Sequence, residues 1–245
     1  MSDASMTDED LRRAYAPTGR LRVALNHGNA VLVSRDESGT AHGISVDLAR
    51  ALADRLGLQA VFLDHERAVE VSSTAEDDRW DVCFLAVDPD RAKTIHFTHP
   101  YIRIEGCYLA GTETEVADSK ALIAEGLKVG TVKGSAYTLH LKRQQGAENL
   151  VEYDNLETAL VALDEGQVAA IAGIREAMET RSETRPGTRV LQPPFMEIRQ
   201  AMGLPAGRPD AAAHLDAFVA EMARSGRVGE ILERHGVSKD CAIVP

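Results

Sequence analysis

Nowhere does this sequence stay apolar for more than a handful of residues, far short of the roughly 20 that a bilayer span needs. A membrane-inserted chain is therefore not expected. Basic residues are also in short supply. Lys and Arg number 27 against 38 Asp and Glu, a formal charge of −11, and no Lys/Arg-rich run forms the stripe that a polyanion requires. Nucleic acid is thereby disfavoured as a partner. Cysteine occurs only three times, at Cys83, Cys107 and Cys241, an odd number without a C-x-x-C pair or metal-ligand spacing. A disulfide framework does not fit this pattern, whereas a reduced compartment does. The first twenty residues, MSDASMTDEDLRRAYAPTGR, hold acids where an export leader needs a basic patch and an apolar run. The expectation is a cytoplasmic protein as written, or a periplasmic one if a leader was omitted.

The balance of 44% hydrophobic and 27% charged residues over 245 positions is that of a globular chain with room for one large or two small domains. Leu21–Leu25 reads as a buried strand running into the polar turn Asn26-His27-Gly28-Asn29, and Val31–Ser34 as a second strand. From Val46 to Leu56 the apolar residues recur at helical spacing, with Gly57 as the stop. Ala60–Leu63 and Trp80–Ala86 read as further strands. Asp88 and Pro89 are placed as N-cap and first residue of a helix. Near residue 112 the pattern starts again: Leu127–Thr131 parallels Leu21–Leu25, and Ser135 caps a helix expected to end at Gly146. Strands at Leu150–Tyr153 and Val168–Ala172 flank a helix at Asn155–Asp164. Gln200–Leu204 and helices at Pro209–Arg224 and Arg227–Arg234 close the chain. Alternating strands and helices predict an α/β protein of mostly parallel sheets covered by helices.

In order and spacing, four stretches resemble the bacterial extracellular solute-binding proteins of family 3: LRVAL, HGISVDLARALADRLG, RWDVCFLAVDPDRAKTIHFTHPYI and LKVGTVKGSAYTLHLK. The resemblance runs from about residue 20 to residue 236. It implies the type II periplasmic-binding-protein fold, two α/β lobes joined by two crossover strands, with a ligand trapped in the cleft as the lobes close. The expected division is 1–19 as an N-terminal extension, 20–110 plus 198–245 as lobe 1, and 111–197 as lobe 2.

By this resemblance Arg91 takes the place of the arginine that grips a ligand carboxylate, a task suited to a planar guanidinium. Gly134, Ser135 and Ala136 take the place of the turn whose backbone N–H groups meet the same carboxylate. The departures concern the ammonium. Ile174 stands where the family's ammonium-binding Asp would fall, and Ala86 and Phe84 stand where it offers hydroxyl or carbonyl groups. An unpaired ammonium in a desolvated cleft costs several kcal/mol, so the expected ligand is a small carboxylate other than an ordinary α-amino acid. Asp88 could in principle replace the lost acid, but an Asp before Pro at a helix start is more often only a cap. Asn26, His27 and Asn29 offer donors and acceptors to a polar distal end of the ligand. Tyr137 and Met196 complete the expected lining, with Gln200 beside Met196 on the return crossover. His96 and His99 are read as structural, because three residues apart in an extended segment they point to opposite faces. No metal and no cofactor is expected.

Two alternatives share this fold. One is a cleft enzyme of the cyclohexadienyl dehydratase type, which needs a general acid with a raised pKa, with Asp88, Glu176 and Glu197 as candidates. The other is an amino-acid transport receptor working with an ABC permease.

Overall fold

The computed structural model describes residues 7–245. From the N-terminal side the elements are α1 (Asp8–Tyr15), β1 (Leu21–Asn26), the short pair β2 (Ser34–Arg35) and β3 (Ala41–His42), α2 (Ile44–Leu56), β4 (Ala60–His65), α3 (Ala68–Ser72), β5 (Val82–Ala86), a 3-10 turn at Arg91–Lys93, and β6 (Ile95–Phe97). They continue with β7 (Ile102–Ala110), α4 (Ser119–Ala124), β8 (Val129–Val132), α5 (Ala136–Leu141), β9 (Leu150–Tyr153), α6 (Leu156–Asp164), β10 (Ala170–Ile174), α7 (Arg175–Glu183), β11 (Arg189–Val190), β12 (Met196–Pro205), α8 (Pro209–Arg224) and α9 (Arg227–Arg234). Contacts divide the chain into two units. Unit 1 holds the residues through Arg103 together with Arg199–Pro245, and unit 2 holds Ile104–Ile198. The chain passes from one unit to the other inside β7 and returns inside β12.

In unit 1 the strand order is β4-β1-β5-β12, with β6 on the far side of β12. The first three strands are parallel, with Leu21 opposite Ala60 and Val23 opposite Val82, and β12 runs antiparallel to β5 with Gln200 opposite Ala86. Helix α2 begins at Gly43, whose φ of 131° lies outside the range of L side chains. A Cβ there would stand 2.6 Å from the Leu32 carbonyl oxygen, so this tight entry requires glycine. The strand expected at Val31–Ser34 is instead mostly a turn. Asn29 accepts Val31 N–H on its side chain and Leu32 and Val33 N–H on its carbonyl, a local alternative to pairing in a sheet.

Of the N-terminal extension expected at 1–19, residues 1–6 lie outside the described residues, and the rest is part of unit 1. Helix α1 is opened by Thr7 and Asp10 in reciprocal capping bonds, and it is anchored by Tyr15, which is fully buried. The Tyr15 hydroxyl lies 3.0 Å from His214 Nδ1 on α8, and Arg12 Nε donates to the Leu56 carbonyl at the end of α2. Beneath this corner lies Asp81, with 0% exposure. Its carboxylate accepts Arg22 N–H at 2.8 Å, Arg22 Nε at 3.1 Å and Nη2 at 2.9 Å, and Arg208 Nη1 at 3.2 Å. Arg208 also donates to the Tyr15 carbonyl. One buried charge thus ties β1, the approach to β5, the start of α8 and the end of α1.

In unit 2 the order is β9-β8-β10-β7, with β11 also on β7. Strands β8, β9 and β10 are parallel, and β7 runs antiparallel to β10. Leu160, Leu163, Ile171 and Met178 form its core with Leu109 and Val168. At Gly130 a Cβ would come within 2.5 Å of Ile171 Cδ1, so β8 can pack this closely only without a side chain. Asn155 caps α6 by accepting Thr158 N–H at 2.9 Å. The helix begun at Ser135 ends at Leu141, short of Gly146, which instead precedes a separate 3-10 turn at Ala147–Asn149.

Replacing Asp81 by Ala leaves Arg22 and Arg208 without their shared buried partner, a loss of about 3–5 kcal/mol for a broken buried pair. Urea denaturation of Asp81→Ala beside the parent measures it, and a loss below about 1 kcal/mol would show that the cluster behaves as a surface ion pair.

Candidate functional site

Parallel strands bring their carboxyl ends to one edge of a sheet, the edge at which open α/β sheets bind ligands. In unit 1 this edge is formed by Asn26 at the end of β1, His65 at the end of β4 and Ala86 at the end of β5. The expected binding residues Asn26, His27, Asn29, Asp88 and Arg91 all lie on it or in the turns just beyond it.

The β5 edge carries the strongest chemistry. After Ala86 the chain turns through Asp88-Pro89-Asp90-Arg91, and Ala92 N–H donates to the Asp88 carbonyl at 2.9 Å. Asp88 Oδ1 accepts Asp90 N–H at 2.9 Å, the bond expected of a cap. The helix it opens is only the three-residue 3-10 turn, because the chain must enter β6 at Ile95. Arg91 is 5% exposed, and its Nη1 donates to the Ala86 carbonyl at 3.0 Å. Burial presses the guanidinium's pKa down, while the charge of Asp88 favours the cation. Asp88 itself is 3% exposed. Phe84 and Ala86 lie on β5, and Phe84 is 1% exposed with its ring edge-on to Tyr101 at 6.4 Å between centroids. In this structure Phe84 is therefore core packing.

The β1 edge is polar and internally bonded. Asn26 Oδ1 accepts Gly28 N–H, Asn29 holds the turn after it, and His27 Nε2 lies 2.7 Å from Asp64 Oδ1. Asp64 also lies 3.9 Å from Arg35, which pairs with Glu66 at 2.8 Å. No sequence motif pointed to Arg35, Asp64 or Glu66 at this edge. Strand pairing could have found Asp64, since a parallel strand that starts beside Leu21 ends beside Asn26.

In unit 2 the same kind of edge collects Gly134, Ser135, Ala136 and Tyr137 after β8, and Ile174 at the end of β10. Gly134 has φ +70°. Ser135 Oγ accepts Thr138 N–H at 3.2 Å as the cap of α5. Tyr137 is buried, and burial pushes its hydroxyl pKa up to about 12 against the opposing effect of Ser135. Ile174 precedes α7 and offers it no side-chain cap. Met196 is half-buried and packs over Gly106, where its Cγ would be 2.8 Å from a Cβ. Gln200 belongs to unit 1 and is buried on β12.

Of the acids considered for proton transfer, Glu176 has its pKa raised by burial, and nearby Glu179 and Glu105 act in the same direction against Arg175. His96 pairs with Asp216 and His99 with the Pro100 carbonyl. Among the described residues no group of three His, Cys, Asp or Glu could hold a metal ion, and no helix is long and apolar enough to cross a membrane.

The model of the bacterial extracellular solute-binding proteins, family 3, matches residues 21–238. The L-cystine-binding protein TcyJ of Escherichia coli (strain K12) is 25% identical over 239 residues, covering 96% of this chain and 89% of that protein. A crystal structure of the P235GK mutant of ArgBP from T. maritima superposes with a TM-score of 0.76 at 18% identity, covering 92% of this chain and 99% of that one. The ancestral amino acid-binding protein AncCDT-1, a precursor of cyclohexadienyl dehydratase, gives a TM-score of 0.73 at 18% identity, covering 93% and 97%. These two structural likenesses carry the fold.

Ser135→Ala removes the cap of α5 and leaves the backbone N–H groups of the turn in place. The expected result is a stability loss of about 1 kcal/mol by urea denaturation. An unchanged midpoint would mean that the Ser135 hydroxyl contributes nothing to the helix.

Proposed function

This chain belongs to the bacterial extracellular solute-binding proteins, family 3, and we propose that it binds a small solute by the solute's carboxylate, gripped by Arg91. The observation that carries the reading is a guanidinium 5% exposed at the carboxyl edge of a parallel sheet, at the end of β5. Its N–H donors in a fixed planar fork match a carboxylate, and its Nη1 also donates to the Ala86 carbonyl. In unit 2 the turn of Gly134, Ser135 and Ala136 at the start of α5 is the counterpart for the same class of group, although Ser135 N–H already donates to the Val132 carbonyl at 3.2 Å.

The finer chemistry follows from Ile174. A branched hydrocarbon at the end of β10 cannot pair with an ammonium, so the solute is not an α-amino acid held by an acid at that position. L-cystine, for which TcyJ is named, shares with this reading the carboxylate rather than the way the amine is held. Asn26, His27 and Asn29 are the polar groups for the solute's distal end. An ABC permease is the partner this reading implies for an exported form.

The test is a thermal-shift panel of L-α-amino acids and L-cystine, each beside its α-keto, α-hydroxy or des-amino counterpart. A solute at a hundred times its Kd stabilises by about 2.7 kcal/mol, a rise of roughly 5 to 11 °C for a chain of this length. Arg91→Ala is expected to abolish the shift and Arg91→Lys to weaken binding at least tenfold, since an ammonium lacks the fork. A shift that survives Arg91→Ala would overturn the reading. Ile174→Asp, which gives unit 2 an acid, is expected to tighten binding of α-amino acids and of no des-amino counterpart.

A further inference from the structure

We propose that Asp64 fixes the tautomer of His27, so that neutral His27 presents Nδ1 to the solute as a hydrogen-bond acceptor and selects a distal end that donates, such as an alcohol. On acidification the same nitrogen becomes a donor, and the selection turns to ends that only accept, such as a ketone. This rests on the reading that the carboxyl edge of unit 1 holds the solute, and it adds the chemical class of the distal group and its response to pH.

Strand pairing places the two residues. Strands β1 and β4 are parallel, with Leu25 opposite Asp64 and Asn26 opposite His65, and the ladder runs one step further, where His27 N–H donates to the His65 carbonyl at 2.8 Å. Gly28 lets the following turn lie against the exit of β4, since a Cβ there would stand 3.0 Å from the Glu66 carbonyl oxygen. The His27 ring is thereby folded onto β4, with Nε2 2.7 Å from Asp64 Oδ1, and its side chain is only 6% exposed. An ionised carboxylate accepts and never donates, so Nε2 carries the hydrogen and the lone pair of the neutral ring lies on Nδ1. Among the described residues Nδ1 has no hydrogen-bond partner. An acceptor on a side chain this buried costs stability until a donor meets it.

The neighbouring polar groups are already engaged. Asn26 Oδ1 accepts Gly28 N–H and Asn29 Oδ1 accepts Val31 N–H, while His65 Nδ1 lies 3.0 Å from the Leu63 carbonyl. The charged groups around His27 are Asp64 itself, then Arg35 of the β2-β3 hairpin, which shares that carboxylate at 3.9 Å and pairs with Glu66 at 2.8 Å, and Arg67 beyond Gly28, which pairs with Glu70 at 2.8 Å. Two guanidiniums thus stand against three carboxylates. A proton added to His27 brings the set to balance, and the new cation keeps Asp64 as its partner through Nε2. Histidine changes charge between about pH 5 and pH 8, so the ring can pass between its two states in that range without breaking its tie to β4. Only Nδ1 changes character, from acceptor to donor.

Two measurements on the whole protein test this. The first is NMR of the histidine ring nitrogens at about pH 8, with the His27 signals identified by their loss in His27→Gln. The expected state is a hydrogen on Nε2 and none on Nδ1, giving way to a mixture of tautomers in Asp64→Ala; a parent with the hydrogen on Nδ1 overturns the proposal whatever the solute. The second is a thermal-shift panel of short-chain carboxylates bearing an alcohol at the far end, each beside the ketone of the same skeleton, at about pH 8 and about pH 5.5. At the higher pH the alcohols are expected to bind about tenfold more tightly than the ketones, and at the lower pH the ketones should gain about tenfold. In His27→Gln, whose amide both donates and accepts, the preference and its pH dependence should both vanish. Alcohols and ketones that are not told apart at either pH, including the case in which neither raises the melting temperature, overturn the inference, as does a preference retained in His27→Gln. An alcohol preference that persists in Arg91→Ala overturns the carboxylate reading and leaves His27 standing.

Discussion

The fully buried carboxylate of Asp81 is surrounded by two guanidiniums and a backbone N–H, the partners that a buried charge requires. Those partners come from β1 and from the start of α8, and Asp81 itself leads into β5. Satisfying one charge therefore fixes the amino ends of two neighbouring parallel strands and draws in the end of α1 through the bond of Arg208 to Tyr15. With the amino ends held, the register of Leu21 on Ala60 and Val23 on Val82 decides which residues emerge together at the opposite edge. Asn26, His65 and Ala86 emerge there, and Arg91 follows Ala86 by one turn. The set of residues at the carboxyl edge of the sheet depends on the ionic clamp at its amino end.

Unit 2 builds the same kind of edge with a different device. Its parallel strands are brought together by small residues, with Gly130 and Gly173 leaving space that Ile171 and Met178 fill. The carboxyl edge then gathers a capped turn after β8 and an isoleucine at the end of β10. The two units thus present different chemistry on the same kind of edge. Unit 1 has buried charge, and unit 2 has a Ser-capped turn and hydrocarbon.

Buried charge in unit 1 sits after β5, where Arg91 is 5% and Asp88 3% exposed. At the β1 and β4 ends the acids and bases His27, Arg35, Asp64 and Glu66 are paired with one another.

Most of the helices and strands were legible because they follow from local periodicity and end signals. Gly57 stops α2, Asn155 opens α6, and Pro209 begins α8, and each acts within a few residues of itself. The family was legible too, because the order of four motifs is a property of the chain. Locally written signals also misled where a side chain competed with the backbone, as Asn29 does in turning Val31–Ser34 away from a strand, and where one anchor sufficed, as Tyr15 does for α1. By itself the sequence determined that this is a two-part α/β solute-binding protein with an arginine after its third long strand and no acid at position 174. Only the tertiary structure decided that Asp88 and that arginine are both buried, that Phe84 packs edge-on against Tyr101 in the core, and that Asp64 and Arg35 stand at the carboxyl edge with His27. Burial and charge pairing depend on which segments distant in sequence pack against a residue, and no local pattern records that.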